Sequence, residues 1–204
     1  MQNVIYLVIF FGIIILCKIV MQRLPAHRGA QGERFVAKKL RRELDPAHYV
    51  ILNDLMLPAQ GGVGTAQIDH IVVSNFGIFC IETKSYVGPV YGDARAKQWT
   101  QYFSGQKKPL YNPIYQNNRH VEAIKDLLLK SGMRAVVYPF IVFPNRDFKV
   151  KIYGTSIVGR TGETIEKILG YREQIYSDAE KNKIVALLAS KNITTKDSRR
   201  QHNS

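Results

Sequence analysis

The longest apolar run of the chain lies near its start. Val4–Met21 contains Lys18 as its single charged residue, and its length is near the lower limit of ~17–25 residues for a membrane-spanning helix. A cleaved signal peptide is the alternative, but it requires a basic beginning and an Ala-x-Ala site, and neither accompanies this run. The pattern therefore predicts an uncleaved anchor at residues 1–22, followed by a linker at residues 23–30.

Basic residues flank this run on its C-terminal side alone. Lys18, Arg23 and Arg28 lie at or beyond its end, and no Lys or Arg precedes it. The positive-inside rule then predicts a single-pass protein with its N-terminus outside and everything after the anchor in the cytoplasm. The two cysteines, Cys17 and Cys80, agree with a reducing compartment because two cannot form a disulfide framework.

After the linker, helical and strand periodicities alternate along the chain. Apolar repeats of three and four residues predict helices, and runs rich in β-branched and aromatic residues predict strands. The predicted helices cover Gln31–Leu44, Asn112–Lys130, Thr161–Leu169 and Ser177–Ser190, and the predicted strands cover Tyr49–Leu57, Gln67–Val73, Gly77–Lys84, Arg134–Phe143 and Val150–Val158. This order predicts an α/β fold with a central mixed β-sheet flanked by helices and preceded by the N-terminal transmembrane helix.

Composition narrows the class of protein. Of 204 residues, 46% are hydrophobic and 22% are charged, which excludes a disordered or fibrous chain. The 29 Lys and Arg residues exceed the 16 Asp and Glu residues and give a net charge of +13. The expected partners are therefore polyanions, either nucleic acid or an anionic membrane surface.

Polar residues interrupt the two strands in the middle of the chain. If residues 74–77 form the turn between them, Asp69 lies directly opposite Glu82, and Gln67 lies opposite Lys84. Opposed residues project from one face of a sheet with Cβ atoms about 4.5–5.5 Å apart. Glu82 and Lys84 share that face because they are two residues apart. The pattern predicts that these side chains converge.

Two explanations fit such a cluster. Adjacent carboxylates repel each other unless a cation lies between them, and Mg²⁺ commonly binds one or two carboxylates together with water and phosphate oxygens. Lys84 beside that ion would act on an attacking water, as in metal-dependent phosphodiester hydrolysis. The alternative is an ordinary salt bridge between Lys84 and Glu82 or Asp69 on a solvated sheet face.

Two helices carry polar residues at one end of an apolar stripe. Glu33 shares its face with Leu40, and Gln116 and His120 precede Ile124 along a second stripe. Both helices are therefore expected to point toward one polar site. The alternatives are that Glu33 only complements the helix dipole and that His120 is a hydrogen-bonded core residue.

These residues resemble a known family. The nuclease-related domain (NERD) family is identified from an ordered set of motifs, namely Gly32-Glu33, Gln67–Val73, Gly77-Ile78-Phe79, Ile81–Lys84, Trp99, and Asn112–Gln116 with His120. The resemblance implies a restriction-endonuclease-like fold of the PD-(D/E)xK superfamily, often with one N-terminal transmembrane segment. It implies that the catalytic set consists of Glu33, Asp69, Glu82 and Lys84 and that Gln116 supports it. Ile68 stands where the superfamily name has proline.

Basic and aromatic residues are interleaved between the two halves of this pattern. The predicted nucleic-acid contacts are Arg95, Lys97, Lys107, Lys108 and Arg119, and the aromatic residues among them are Trp99, Tyr102, Phe103, Tyr111 and Tyr115. Lysine and arginine attract phosphates, and aromatic rings stack on exposed bases. The alternative is that the rings pack on the sheet, which is the favoured interpretation for Trp99.

The sequence thus predicts a membrane-anchored, Mg²⁺- or Mn²⁺-dependent nuclease acting on DNA or RNA, with DNA favoured. Asp69 and Glu82 are the predicted metal ligands, and His120 and Gln67 are possible supporting residues. The predicted division is a nuclease-like core at 31–145, a C-terminal α/β extension packing on it at 146–192, and a basic disordered tail at 193–204. The alternative is a catalytically weak nucleic-acid-binding or membrane-tethered scaffold that retains the nuclease fold.

Moving the basic residues to the N-terminal side of Val4–Met21 is expected to invert the protein in the membrane, because orientation follows the distribution of Lys and Arg. A reporter that is active on one side of the membrane, fused to the C-terminus, measures the change against the unaltered chain. A reporter that stays on the same side in both proteins contradicts the predicted topology.

Overall fold

The computed structural model of the protein describes residues 28–193 and the single upstream position Gly12. Apart from Gly12, the predicted anchor Val4–Met21 lies outside the described residues, as does the predicted tail beyond residue 193. Within residues 28–193, no helix has both the length and the apolar character needed to cross a membrane.

Residues 28–193 contain four helices, nine strands and a short 3₁₀ turn at Gln60–Gly62. Helix α1 covers residues 28–43 in its described part, and the other helices are α2 (Pro113–Lys130), α3 (Thr161–Gly170) and α4 (Asp178–Ser190). The strands are β1 (Tyr49–Pro58), β2 (Thr65–Ser74), β3 (Gly77–Thr83), β4 (Val90–Asp93), β5 (Gln98–Phe103), β6 (Gln106–Tyr111), β7 (Val137–Phe143), β8 (Val150–Tyr153) and β9 (Val158–Arg160).

Side-chain caps fix where two of the helices begin. The Asn112 side chain accepts a hydrogen bond of 2.9 Å from the backbone N–H of Ile114 at the start of α2. At the start of α4, the Ser177 N–H donates to Glu180 Oε2 at 2.8 Å, and the Glu180 N–H donates to Ser177 Oγ at 3.3 Å. Such caps satisfy backbone donors that have no partner inside the helix. Both predicted helix starts are confirmed.

Five strands form the central sheet in the order β1-β2-β3-β7-β9. β1, β2 and β3 pair antiparallel, whereas β3, β7 and β9 pair parallel. Helices α1 and α3 pack on one face around Phe79 and Ile81, and helices α2 and α4 pack on the other around Ile78 and Cys80. The alternation along β3 thus supplies both cores, and the predicted mixed α/β fold with flanking helices is confirmed.

A second sheet of four strands, in the order β6-β5-β4-β8, departs from the single sheet that the sequence predicts. Its strands are short, and β6 is exposed along most of its length, so the apolar periodicity that marks a strand is weak. The predicted strand Val150–Val158 is divided into β8 and β9, which belong to different sheets. Gly154 lies between them with a φ of +74°, a conformation that glycine adopts without steric cost.

The turn between β2 and β3 has the predicted register. Ser74 pairs with Gly77 and Val73 with Ile78, and the ladder continues to His70 opposite Ile81. Because the turn is tight, the start of β2 and the end of β3 lie at the same end of the sheet. The polar residues of both strands are therefore close in space.

His70 connects β1, β2 and β3 near that end of the sheet. The ring is 1% exposed, with Nδ1 2.8 Å from Asn53 Oδ1 on β1 and Nε2 3.2 Å from Thr83 Oγ1 on β3. Burial lowers the pKa of His70 to about 4, because a charged imidazole is poorly solvated there. The ring is therefore neutral at neutral pH.

We expect acid to destabilise the protein through His70 and a His70→Gln variant to lack that part of the effect. The pKa of a histidine in an unfolded chain is about 6.5, so between pH ~6.5 and about 4 the unfolded chain binds a proton that the folded chain excludes. Stability falls as the pH falls through this window, by about 2 kcal/mol from this residue at pH ~5.

Urea unfolding of the full chain at neutral pH and at pH ~5 measures the difference. His48 is exposed, and a His48→Gln variant is the matched control that is expected to behave as the wild type. Equal acid-induced losses of stability in the wild type and the His70→Gln variant contradict this role of His70.

Candidate active site

The end of β3 opens into a cavity of about 470 Å³, hereafter the first cavity. Residues of α1, of β2 and of the chain leaving β3 form one part of its wall, and Phe103 and Lys108 of the β5–β6 hairpin form another. The residues of the implied catalytic set that line it are Glu33, Asp69, Glu82 and Lys84. The structure thus brings together side chains that are distant in sequence.

A glycine allows α1 to reach this cavity. A Cβ atom built on Gly32 would lie 1.7 Å from Ser85 Oγ and 3.1 Å from Pro144 Cγ, so a larger residue does not fit without movement of these neighbours. Val36 and Leu40 continue the helix into the core beside β3. The close approach at Gly32 places the next residue, Glu33, at the cavity wall.

Glu82 and Lys84 form the closest ion pair of the cavity. Glu82 is 2% exposed, and its Oε1 lies 2.6 Å from Lys84 Nζ. Lys84 Nζ also donates a hydrogen bond of 2.9 Å to Gln116 Oε1 of α2. Burial acts to lower the pKa of Lys84, but the Glu82 carboxylate outweighs it and raises that pKa. Lys84 is therefore a charged ammonium group beside Glu82.

His120 approaches the other oxygen of the same carboxylate. His120 Nδ1 lies 3.2 Å from Glu82 Oε2, but the approach lacks hydrogen-bond geometry, so within residues 28–193 both atoms are buried without a hydrogen-bond partner. Burial acts to raise the pKa of Glu82, and the nearby His120 and Lys84 overcome this and lower it. Glu82 is thus an ionised carboxylate with one oxygen available to a further positive group.

Asp69 reaches the site through a backbone contact. Its Oδ2 accepts a hydrogen bond of 2.7 Å from the N–H of Thr83. The pKa of Asp69 is raised to about 7, first by burial and then by the charge of Glu82. Two carboxylates so placed disfavour each other's ionisation in the absence of a cation.

The β2–β3 ladder does not extend to Asp69 and Glu82 as the sequence predicts. Its last pair is His70 with Ile81. Ile68 and Ile71 pack into the same core although residues three apart in a regular strand face opposite sides, so the alternation slips at Asp69. Asp54, the residue across on β1, has a φ of +53°. The predicted direct opposition of Asp69 and Glu82 is therefore wrong, because β2 and its neighbour β1 are both irregular at the level of Asp69.

Gln67 does not join Lys84 in the first cavity. Its Nε2 donates a hydrogen bond of 2.9 Å to Asp54 Oδ1, and the residue lines a second cavity of about 620 Å³. The slip at Asp69 explains this departure from the predicted opposition, because the regular pairing ends before Gln67. Asp54 is an acidic neighbour that the sequence pattern did not single out.

Glu33 completes the acidic wall from the side of α1. Its pKa is raised by burial and then by the charges of Asp54 and Glu82. An ordinary helix-dipole role would favour the charged form instead. The structure therefore places Glu33 in an acidic surrounding rather than at an isolated helix end.

The second cavity lies behind the Glu82–Lys84 pair. Gln116 and His120 line it, and the same two side chains contact Lys84 and Glu82. The exposed Arg119 also lines this cavity. The ion pair consequently lies between two cavities, with Gln116 and His120 as the partition.

The predicted nucleic-acid contacts fall into separate groups. Lys108 lines the first cavity, Lys107 lies on the same hairpin, and Arg119 lines the second cavity. Arg95 and Lys97 are exposed in the turn between β4 and β5 and line neither cavity.

Trp99 behaves differently from the other aromatic residues of this region. It is 1% exposed, and its Nε1 donates a hydrogen bond of 2.9 Å to the carbonyl of Asp93. The interpretation that Trp99 packs on the sheet is confirmed.

The donor set at Asp69 and Glu82 fits a hard divalent cation. Carboxylate oxygens are the preferred protein ligands of Mg²⁺, and Glu82 Oε2 is a buried carboxylate oxygen that has no hydrogen-bond partner among the described residues. Residues 28–193 contain no group of three or more His, Cys, Asp or Glu side chains arranged around one metal position. The protein would therefore supply two ligands and leave the others to water or substrate.

Comparison with known proteins agrees with the motifs. The nuclease-related domain (NERD) family matches residues 28–144, which is more than half of the chain. The protein belongs to the NERD family. The predicted membership is confirmed, and the resemblance to the PD-(D/E)xK superfamily is consistent with it. Membership supports a nuclease-related function and an interaction with nucleic acid in general terms.

A relative of this NERD protein occurs in Bacillus anthracis. That protein is uncharacterized, and the two are 36% identical over 129 residues, which is 63% of this chain and 60% of the relative. The chain thus spans about 60% of the length of the curated relative it matches. No solved structure matches this chain.

Several residues of the first cavity escape sequence reasoning. Thr83 contributes its backbone N–H, which no side-chain pattern reveals. Ser85 lines the cavity with a buried Oγ that has no hydrogen-bond partner within residues 28–193. The sequence signal for the contact with Ser85 is Gly32, directly before Glu33, because a glycine inside a helix often marks a close approach.

We expect Gly32→Ala to destabilise the protein by about 1–3 kcal/mol, because the added methyl group collides with Ser85 and crowds Pro144. Gly29→Ala is the matched control in the same helix. Its Cβ atom would meet only Glu33 Oε1, at 3.8 Å, so alanine is expected to stabilise the helix by up to about 1 kcal/mol. Urea unfolding measures both variants, and equal effects contradict the close approach.

Proposed function

We propose that this NERD protein is a metal-dependent nuclease that hydrolyses phosphodiester bonds, with DNA as the favoured substrate. The observation that carries the proposal is the lining of one cavity by Glu33, Asp69, Glu82 and Lys84, with Lys108 of the hairpin in the same wall. An acidic cluster repels a phosphate unless positive groups accompany it. Here such groups border the cluster.

Each side chain has a role in the proposal. Asp69 and Glu82 would hold the ion, and Lys84 would act on the attacking water and stabilise charge on the phosphate. Gln116 positions Lys84 by accepting its hydrogen bond at 2.9 Å, and Glu33 supports the acidic wall. When bound, Mg²⁺ or Mn²⁺ would supply a Lewis acid and a water of lowered pKa.

His120 acts in this proposal through Glu82. Its ring lies 3.2 Å from the carboxylate oxygen and is 6% exposed, so it limits the positions that Glu82 can adopt. It is a positioning residue because it reaches the reacting groups through that carboxylate. Gln67 supports the second cavity instead, through its hydrogen bond to Asp54.

We also propose that the protein is anchored to a membrane with the nuclease domain in the cytoplasm. This proposal is supported by the apolar segment Val4–Met21 and by the basic residues that follow it. The nucleic acid it meets would then be cytoplasmic.

A second candidate function is a binding or scaffold module without appreciable catalysis. The contact of 2.6 Å between Lys84 Nζ and Glu82 Oε1 favours it, because an ion pair satisfies part of the carboxylate charge that a metal ion would otherwise satisfy. The module would then bind nucleic acid through its exposed basic residues.

Glu82→Gln and Lys84→Ala are each expected to reduce Mg²⁺- or Mn²⁺-dependent cleavage by the full chain about 100-fold or more, because each removes a charged group from the reacting site. Binding measured in EDTA is expected to persist. The readouts are cleavage of single- and double-stranded substrates and the dissociation constant for the same substrates.

The matched control uses an exposed ion pair on α2, Asp126 with Lys130 at 2.7 Å, through Asp126→Asn and Lys130→Ala. These variants are expected to cleave as the wild type does. Wild-type cleavage by the Glu82 and Lys84 variants refutes the catalytic assignment. Binding by the wild type without cleavage under any metal condition favours the scaffold function.

A further inference from the structure

The β5–β6 hairpin carries lysines above aromatic rings. Lys107 Nζ lies 5.7 Å from the ring centroid of Tyr102, and Lys108 Nζ lies 5.1 Å from that of Phe103. Both rings remain more than one-third exposed, at 38% and 37%. An exposed aromatic residue beside a cation is the combination that binds a base and its phosphate together.

One of these pairs belongs to the wall of the candidate active site. Phe103 and Lys108 line the first cavity with Glu82. Glu82 itself is 2% exposed, so a phosphodiester that reaches it occupies the cavity of which the hairpin forms one wall. A substrate that enters there brings its bases next to an available ring.

A second cationic and aromatic cluster borders the other cavity. Arg119 lines that cavity, and its Nη2 donates a hydrogen bond of 3.4 Å to the hydroxyl of Tyr111. Tyr111 and Tyr115 are 52% and 37% exposed, with ring centroids 6.4 Å apart. Each cavity thus has an exposed cation in its wall, Lys108 in the first and Arg119 in the second, and Tyr111 lies beside Arg119 without lining the second cavity.

Whether a nucleic acid is single- or double-stranded decides whether its bases can stack on such rings. In a duplex, the bases are already stacked and paired, so their faces are covered and only phosphates, sugars and base edges are presented at the surface. An unpaired strand can turn its bases onto aromatic side chains, a contact worth about 1–3 kcal/mol per base. Stacking on the exposed ring of Phe103 therefore adds nothing to the binding of an intact duplex.

We infer that the site takes single-stranded nucleic acid, with a base stacked on Phe103 and a phosphate at Lys108. The inference rests on the proposed function, because it names the substrate class of the same site. Phe103 is a specificity-determining residue in this arrangement. Lys108 contributes charge that does not distinguish one strand from two.

The test compares three ligands of equal length with the full chain in detergent and EDTA, so that no cleavage occurs. The ligands are an oligothymidylate, an abasic oligodeoxyribonucleotide that carries the same phosphates, and a DNA duplex. The wild type is expected to bind the oligothymidylate about tenfold more tightly than the abasic strand, as stacking predicts. Phe103→Leu keeps an apolar side chain and is expected to abolish this preference.

A matched control lies at the opposite edge of the same sheet. Lys151 Nζ lies 5.0 Å from the ring centroid of Tyr153 on β8, and Tyr153 is 55% exposed but lines neither cavity. Tyr153→Leu is expected to leave all three affinities unchanged. It removes the same kind of contact from the same sheet at a distance from the site.

Salt dependence separates stacking from charge. Lys108→Gln is expected to weaken binding of all three ligands and to reduce the slope of log K against log salt by about one phosphate contact. Phe103→Leu is expected to leave that slope unchanged. A reduced slope in the Phe103 variant would show that the ring acts only by placing Lys108 and would overturn the stacking role.

The remaining outcomes keep the two proposals apart. Equal wild-type binding of thymidylate and abasic strands, a preference for the duplex, or equal losses in the Phe103 and Tyr153 variants overturns the strand preference. Cleavage with none of these preferences leaves the nuclease proposal standing without it. Selective binding without metal-dependent cleavage supports the strand preference and refutes the proposed catalysis.

Discussion

The carboxylate of Glu82 lies at the end of the central strand with 2% of its surface exposed, and an ionised group in that position requires compensating charge. An unpaired buried charge costs several kcal/mol. Lys84 Nζ supplies that charge 2.6 Å from one carboxylate oxygen, and the His120 ring lies 3.2 Å from the other oxygen without hydrogen-bond geometry. This requirement explains the composition of α2, whose stripe is polar at Gln116 and His120 and becomes apolar from Ile124 onward.

The same charge determines what happens to its acidic neighbour. Glu82 and burial together raise the pKa of Asp69 to about 7, and the Thr83 N–H holds one of its oxygens at 2.7 Å. A hydrogen bond from a backbone N–H stabilises a carboxylate without neutralising it. The carboxylates of Asp69 and Glu82 therefore remain close and repel each other. An additional cation would bind favourably because it would relieve that repulsion. The net charge of the chain is +13, and Lys84 and Lys108 bring part of that positive charge into the wall of the cavity that these acids line.

Local signals made part of this structure predictable. The Asn112 cap, the Ser177 capping box and the turn at residues 74–77 depend on neighbouring residues alone, and they are found as predicted. The slip at Asp69 was not predictable, because it depends on the backbone of β1, where Asp54 adopts a φ of +53°. The second sheet was not predictable for another reason. Its strands are short and exposed, and β4 and β8 pair across more than fifty residues, so their pairing leaves little periodic trace.

That long-range pairing also shows what the cavity wall requires. The hairpin is held by β4 through β5, and β4 is in turn paired with β8 from Val90–Val150 to Asp93–Tyr153. β8 begins after residue 144, where the family match ends. Beyond it, Gly154 lets the chain leave one sheet, and Val158 joins β9 to β7 of the other. The segment from β8 to β9 thus ties the sheet that presents Phe103 and Lys108 to the sheet that ends at Glu82. Val90 and Trp99 of the second sheet also pack against Ile141 and Phe143 of the central sheet, so the relative position of ring and carboxylate depends on this core inside the matched domain and on the β8–β9 segment outside it.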